Sequence, residues 1–270
     1  MRIDHIAAWR LMKHVARACC ALVLGIALTT PAQAACDDPP RAGVNWSRCP
    51  LTGSDLNGQN LSGAVLVRAD LRGAKLQNAN LRGADLSFAD LEGADLRGAR
   101  LDTANLTGAN LRGANLQAAH LVRIRANRAQ FQGADLTDAD LRQADGYDAH
   151  FEDAILDRAS LAYARLELAD FSRANLQRSD LSSARLTRAR LEQTDLRGAS
   201  LVRTQLDRAV LIDALANNAD LSGANLSEAD LLGAEFDGAL LGNASWADRR
   251  RCRTASRRHA VVTFRGWWQG

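Results

Sequence analysis

A period of five residues constrains this chain more than any other feature. From Leu61 to His120 it reads LSGAV LVRAD LRGAK LQNAN LRGAD LSFAD LEGAD LRGAR LDTAN LTGAN LRGAN LQAAH. Leu opens each block, Ala stands fourth, and the fifth place is mostly Asp or Asn. Five matches neither the 3.6-residue period of a helix nor the two-residue period of a plain strand. A chain that obeys it must turn a corner every five residues and send one Leu inward each time.

The register runs without an insertion from Leu51 to Trp246, and 36 of its 40 opening positions are Leu or Phe. The exceptions are Ala126, Gly146, Ala216 and Trp246. Two residues before the opening position, from Ala64 to Ala244, 33 of 37 residues are Ala; the others are Ile124, Ser179, Thr194 and Thr204. Two residues after it Gly occurs 14 times, where a turn with positive φ is cheap.

This A(D/N)LxG pattern resembles the pentapeptide-repeat family over about residues 46–246. The resemblance implies an all-β fold: a right-handed quadrilateral β-helix, a β-solenoid with four pentapeptides per coil and therefore about ten coils. At ~4.8 Å per coil the solenoid is about 48 Å long. With four blocks per coil, Phe131, Phe151 and Phe171 stack on one side and Ala126 and Gly146 on the side before it, as though the rings fill the volume that the small residues leave. Trp46 and Trp246 then fall on one side at opposite ends.

The ends have different compositions. Residues 1–34 read as a signal peptide: Arg2, Arg10, Lys13 and Arg17 precede an apolar run, Ala18 to Leu28, and the small residues around Ala32 and Ala34 suit cleavage. That run is short against the ~20 residues that span a bilayer. Export places the chain in the periplasm or outer envelope, or outside the cell, where disulfides persist. Residues 35–50 read as an N-terminal cap segment ahead of the solenoid at 51–246. Within it Cys36 and Cys49 are candidates for a disulfide that pins the first coil; the other reading of Cys49 is a small buried residue.

Residues 247–270 form a basic and aromatic C-terminal tail with Arg249, Arg250, Arg251, Arg253, Arg257 and Arg258, then Trp267 and Trp268. It reads either as an anchor on anionic membrane or nucleic acid, nucleic acid being disfavoured, or as a cap or a disordered end. The net charge of +3 belongs to the whole chain; residues 35–246 alone stand at −6.

Nothing points to catalysis, a cofactor or a metal. His120 and His150 face opposite sides, and no phosphate loop, metal-ligand spacing or nucleophile constellation occurs. The chain reads as a non-enzyme, with two function classes open. One is an exported scaffold that meets an unidentified protein partner in the envelope. The other is implied by the resemblance, since some pentapeptide-repeat proteins imitate duplex DNA and bind DNA gyrase. The candidate interaction face is the side carrying Asp70, Asp90, Glu92, Glu152, Asp153, Asp170 and Asp230, with Glu192 and Asp213. Its acids are patchy where a DNA mimic needs sustained negative charge. No insertion loop is visible, whereas the gyrase-acting relatives often use one, and export leads away from a cytoplasmic target.

Overall fold

The computed structural model describes residues 36–246; the expected signal peptide and the tail 247–270 lie outside them. Parallel bridges join every fifth residue to the residue 20 positions later, from Asn45↔Val65 to Asn225↔Ser245 without a gap. Five-residue sides in a 20-residue turn make the coil four-sided, with one turn centred on Leu71, Leu76, Leu81 and Leu86.

Hydrogen bonding explains why each place in the repeat has its preferred residue. Leu71 N–H donates to Asp90 C=O at 2.7 Å and Gly73 N–H to Glu92 C=O at 2.9 Å, both in the next turn. Lys75 N–H donates back to Ser54 C=O at 2.9 Å, and Ala74 N–H closes the corner on Leu71 C=O at 3.0 Å. One donor per pentad, here Arg72 N–H, lies outside that ladder. Asp70 Oδ1 accepts it at 3.3 Å, and the same contact recurs from Asn45 with Ser47 to Asp230 with Leu232. Asp and Asn fill the fifth place because their short side chains reach a backbone N–H two residues on.

Every fifth residue from Gly43 to Asn243 has positive φ, 15 of them Gly and 26 not. The left-handed conformation costs a non-Gly residue ~1–2 kcal/mol. The fold tolerates it because the corner N–H is bonded to the next turn, as Arg123 N–H is to Arg142 C=O at 3.0 Å. Gly is required where a neighbour lies on the corner: a Cβ on Gly108 would stand 2.7 Å from the Phe88 ring.

The inward Leu and Ala columns make one continuous core, with Leu61 to Leu121 fully buried at their opening positions. Burying each Leu contributes roughly 1.5–3 kcal/mol before chain entropy is charged against it. Phe131, Phe151 and Phe171 stack with ring centroids 4.7 Å apart and planes parallel to within 2°. At Gly146, on the side before, the atom nearest to where a Cβ would stand is Leu166 Cδ2 at 3.0 Å, from one turn later on the same side. Where Ala gives way to a hydroxyl, a carbonyl accepts it: Thr194 Oγ1 donates to Phe171 C=O and Thr204 Oγ1 to Leu181 C=O, each at 2.8 Å.

At the N-terminal end the coil already runs ahead of Leu51. Val44, Trp46 and Cys49 are buried in its core, and Cys36 is disulfide-bonded to Cys49 with their Cα atoms 5.4 Å apart. Trp46 Nε1 donates to Asp38 C=O at 3.2 Å. Pro50 holds a bridge position of the first turn, where an N–H would find no earlier turn to donate to.

Candidate functional site

Asp70, Asp90, Asp170 and Asp230 occupy one bridge column on the side backed by the Phe stack. Glu92 and Glu152 stand two residues beyond that column and Asp153 at the following corner. The coil therefore collects all seven candidate acids on one side.

Few of them are free charges. Asp70, Asp90, Asp170 and Asp230 each spend Oδ1 on the backbone N–H two residues on. Arg72 forks Asp70, its Nε 2.8 Å from Oδ1 and its Nη2 2.6 Å from Oδ2, and reaches Asp90 at 3.6 Å. The hydrogen bond from Arg72 holds the Asp70 carboxyl well below the ordinary carboxylate range. Arg173 forks Asp153 from one turn later at 2.7 and 2.8 Å, and that bond likewise lowers the Asp153 pKa. Arg190 lies between Asp170 at 3.5 Å and Glu192 at 3.2 Å. His150 Nδ1 and Glu152 Oε1 are 3.4 Å apart. The side is a lattice of ion pairs stitched along and across turns.

The same lattice covers residues beyond the seven candidate acids. Asp95 with Arg97, Asp140 with Arg142 and Asp195 with Arg197 repeat the fork of Asp70 with Arg72. The hydrogen bond from Arg97 brings Asp95 down to about 2. The signal was present in the sequence as the tripeptide Asp-Leu-Arg, whose outer residues flank one inward Leu and so share a side. Asp157, mostly buried, is held by Arg158 and Arg178, and Arg158 also forks Asp138 at 2.7 Å. That cluster links residues about one turn apart, which no local motif announces.

Among the described residues no group of three His, Cys, Asp or Glu side chains could hold a metal ion. His120 and His150 lie on opposite sides of the coil, bridged to different columns. The tail candidates Arg249, Arg250, Arg251, Arg253, Arg257, Arg258, Trp267 and Trp268 lie outside the described residues.

A four-sided coil of five-residue sides, many of its corners capped by an Asp or Asn side chain, defines a class of β-solenoid, and comparison with known proteins gives it a family. A model described as Pentapeptide repeats (8 copies) matches residues 49–87, 84–121 and 204–243, and one described as Pentapeptide repeat region matches 124–201. The chain belongs to the pentapeptide-repeat family. Its fold is accordingly the right-handed quadrilateral β-helix of that family, whose members are in general not enzymes. It is 33% identical to HetL, a pentapeptide-repeat protein involved in heterocyst differentiation regulation in the cyanobacterium Nostoc sp. strain PCC 7120; the match covers 78% of this chain and 92% of that one, with a TM-score of 0.48. A trypsin-treated form of QnrB1, a plasmid-mediated fluoroquinolone resistance protein, is 20% identical, over 66% of this chain and 91% of that one, with a TM-score of 0.54. A search of curated proteins found no significant match.

Proposed function

We propose that the chain is a non-enzymatic, exported scaffold of the cell envelope: a solenoid of about ten coils whose ordered polar columns meet a protein partner. The observation that carries this reading is the Cys36–Cys49 disulfide, two residues past the expected cleavage point at Ala34. Disulfides persist in oxidising compartments and are rare in the cytosol. The ion-paired surface supports the scaffold part, because fixed Arg–carboxylate forks present a patterned rather than a uniformly charged face.

The alternative, a mimic of duplex DNA that binds gyrase, needs uncompensated negative charge along the coil and a cytoplasmic location. Arg72, Arg173 and Arg190 sit against the acids it would use, and the likeness to QnrB1 reaches the fold alone. Fractionating bacteria that express the full chain separates the two. The scaffold reading expects recovery in the envelope or medium, an N-terminus near Ala35, no alkylation of Cys36 or Cys49 without reduction, and gyrase supercoiling unaffected. An uncut cytosolic chain that inhibits gyrase, and stops doing so when Asp70, Asp90 and Asp170 are changed to Lys, would overturn it.

A further inference from the structure

Ion pairing is uneven around the coil. Residues 36–246 contain 23 lysines and arginines, and ten of them make no ion pair among the described residues. Seven of the ten lie on one side or at its two corners, the side whose bridge column runs Arg125, Asp145, Arg165, Arg185. Arg48 and Arg68 are near its start; Arg123, Arg125, Arg165, Arg188 and Arg203 fall within five consecutive turns. The other three arginines of those turns, Arg128, Arg185 and Arg208, are paired with Asp148, Glu167 and Glu228 at 3.4, 2.9 and 2.7 Å. Corners included, the five turns of this side carry eight arginines against Asp145, Asp148, Glu167 and Asp207, a net +4, on a coil whose residues 36–246 stand at −6.

The same side collects apolar surface. Seven large apolar side chains are exposed among the described residues. Four of them, Phe88, Tyr147, Tyr163 and Leu168, are on this side or at its corners; Ile155, Leu232 and Leu240 are spread one to each of the other three. Tyr147 and Tyr163 are the only tyrosines of the chain, and they stand in adjacent turns, 43% and 64% exposed. Tyr163 occupies a corner with φ 60°, where Gly would be unstrained, so the coil's own packing does not call for it. Arg165 and Arg185 follow Tyr163 in the column beside that corner.

We propose that this side, rather than the acidic side next to it, is the docking face, and that its partner is a protein surface presenting carboxylates around an apolar centre. The inference rests on the scaffold reading above, whose partner it specifies by chemistry. On the acidic side Arg72, Arg173 and Arg190 already hold the carboxylates; here Arg125, Arg165, Arg188 and Arg203 have no carboxylate of their own. A guanidinium fork binds a carboxylate through two parallel bonds. Tyr147, Tyr163 and Leu168 lie among these arginines, and Tyr with Arg is the make-up of the anchors that carry protein interfaces. A chain of phosphates or an anionic lipid surface suits the face poorly. Asp145, Asp148, Glu167 and Asp207 are interspersed with the arginines and would meet a uniform polyanion with like charge. A protein of mixed charge can answer both signs.

Because the chain has no tyrosine outside this face, fluorotyrosine gives two fluorine resonances that both report on it, and binding by arginines elsewhere does not register. The full chain is titrated with a random copolymer of glutamate and tyrosine that carries no fluorine. Both resonances should shift at low salt and return in about 1 M salt, where the screening length is near 3 Å. The shift should be lost in the Arg165→Asp, Arg188→Glu variant and kept in Arg100→Asp, Arg112→Glu, which makes the same charge change on two other sides. Each replacement is a residue its column already holds, at Asp145, Glu228, Asp140 and Glu92, and circular dichroism checks that every variant keeps its β-signature. Tyr163→Ser should weaken binding at unchanged charge, read from the Tyr147 resonance. Shifts that survive Arg165→Asp, Arg188→Glu would overturn the proposal. So would equal shifts with duplex DNA or anionic vesicles, or shifts that grow with chain concentration when no copolymer is present. The titration does not depend on where the chain resides, so its failure leaves export, which fractionation reads, untouched.

Discussion

The two ends of the solenoid are built from one repeat yet finished in different ways. At the N-terminal end Trp46 is 2% exposed, a disulfide holds the entering chain, and Pro50 removes an N–H that would have no partner. At the C-terminal end Leu231 and Leu241 are only partly buried, and the N–H groups of Leu231, Gly233, Phe236, Gly238 and Leu241 donate to nothing among the described residues. The ladder is directional, which is the source of the difference. Within each pentad two N–H groups donate to the next turn and one to the previous turn, so the first turn is left rich in carbonyls and the last rich in N–H groups. Pro50 removes one such donor from the first edge; the N–H groups of the last edge need acceptors, which water or another segment of chain can supply.

One core joins the two ends, so the largest expected effect comes from breaking it in mid-coil. Leu96→Asp should cost about 4 kcal/mol or more, because it buries an unpaired charge in mid-coil, and both ends should lose hydrogen-exchange protection together. Arg97→Asp, on the surface, should cost far less, and equal urea midpoints for the two would overturn the register. Trp46→Ala should cost about 3–5 kcal/mol, whereas Leu241→Ala, only partly buried, should stay near 1 kcal/mol. Matching losses would erase the contrast between a closed and an open end.

Replacing Cys36 and Cys49 together by Ser should cost about 3 kcal/mol, with the loss in hydrogen exchange confined to the first turns. A uniform loss along the coil would mean that the bridge does more than close one end. Smaller still is the cap: Asp70→Ala should lower stability by about 1 kcal/mol and Asp70→Asn by less, since Asn keeps an acceptor for Arg72 N–H. Acid adds a further small term. Asp70, Asp95 and Asp140 are held below the ordinary carboxylate range by hydrogen bonds from Arg72, Arg97 and Arg142. Groups with lowered folded pKa values contribute fully above the unfolded value and lose that contribution as pH falls through the folded one. The melting temperature should therefore hold from neutral pH down to about 4 and decline towards 2.

Much of this protein was legible as a string. An unbroken five-residue register dictates inward Leu and Ala, and the four blocks per coil that the family resemblance implied put Phe131, Phe151 and Phe171 in one column. The seven acids of one side were likewise countable in advance. Their role was not. That Asp70 caps Arg72 N–H is decided by which donor the ladder leaves over, and that Arg173 forks Asp153 by the 20-residue stagger of neighbouring turns. Sequence spacing favoured Gly at the corners, but the coil holds Arg, Asp and even Thr103 there at positive φ, since the hydrogen bonds to the next turn outweigh the local strain. Composition divides neutral coil, acidic last stretch and basic tail at residues 208 and 246; only the folded ladder reveals that in the acidic stretch the N–H groups of Leu231, Gly233, Phe236, Gly238 and Leu241 have no acceptor among the described residues. Local pattern sets which way a side chain faces, and the stacking of distant turns sets what it meets there.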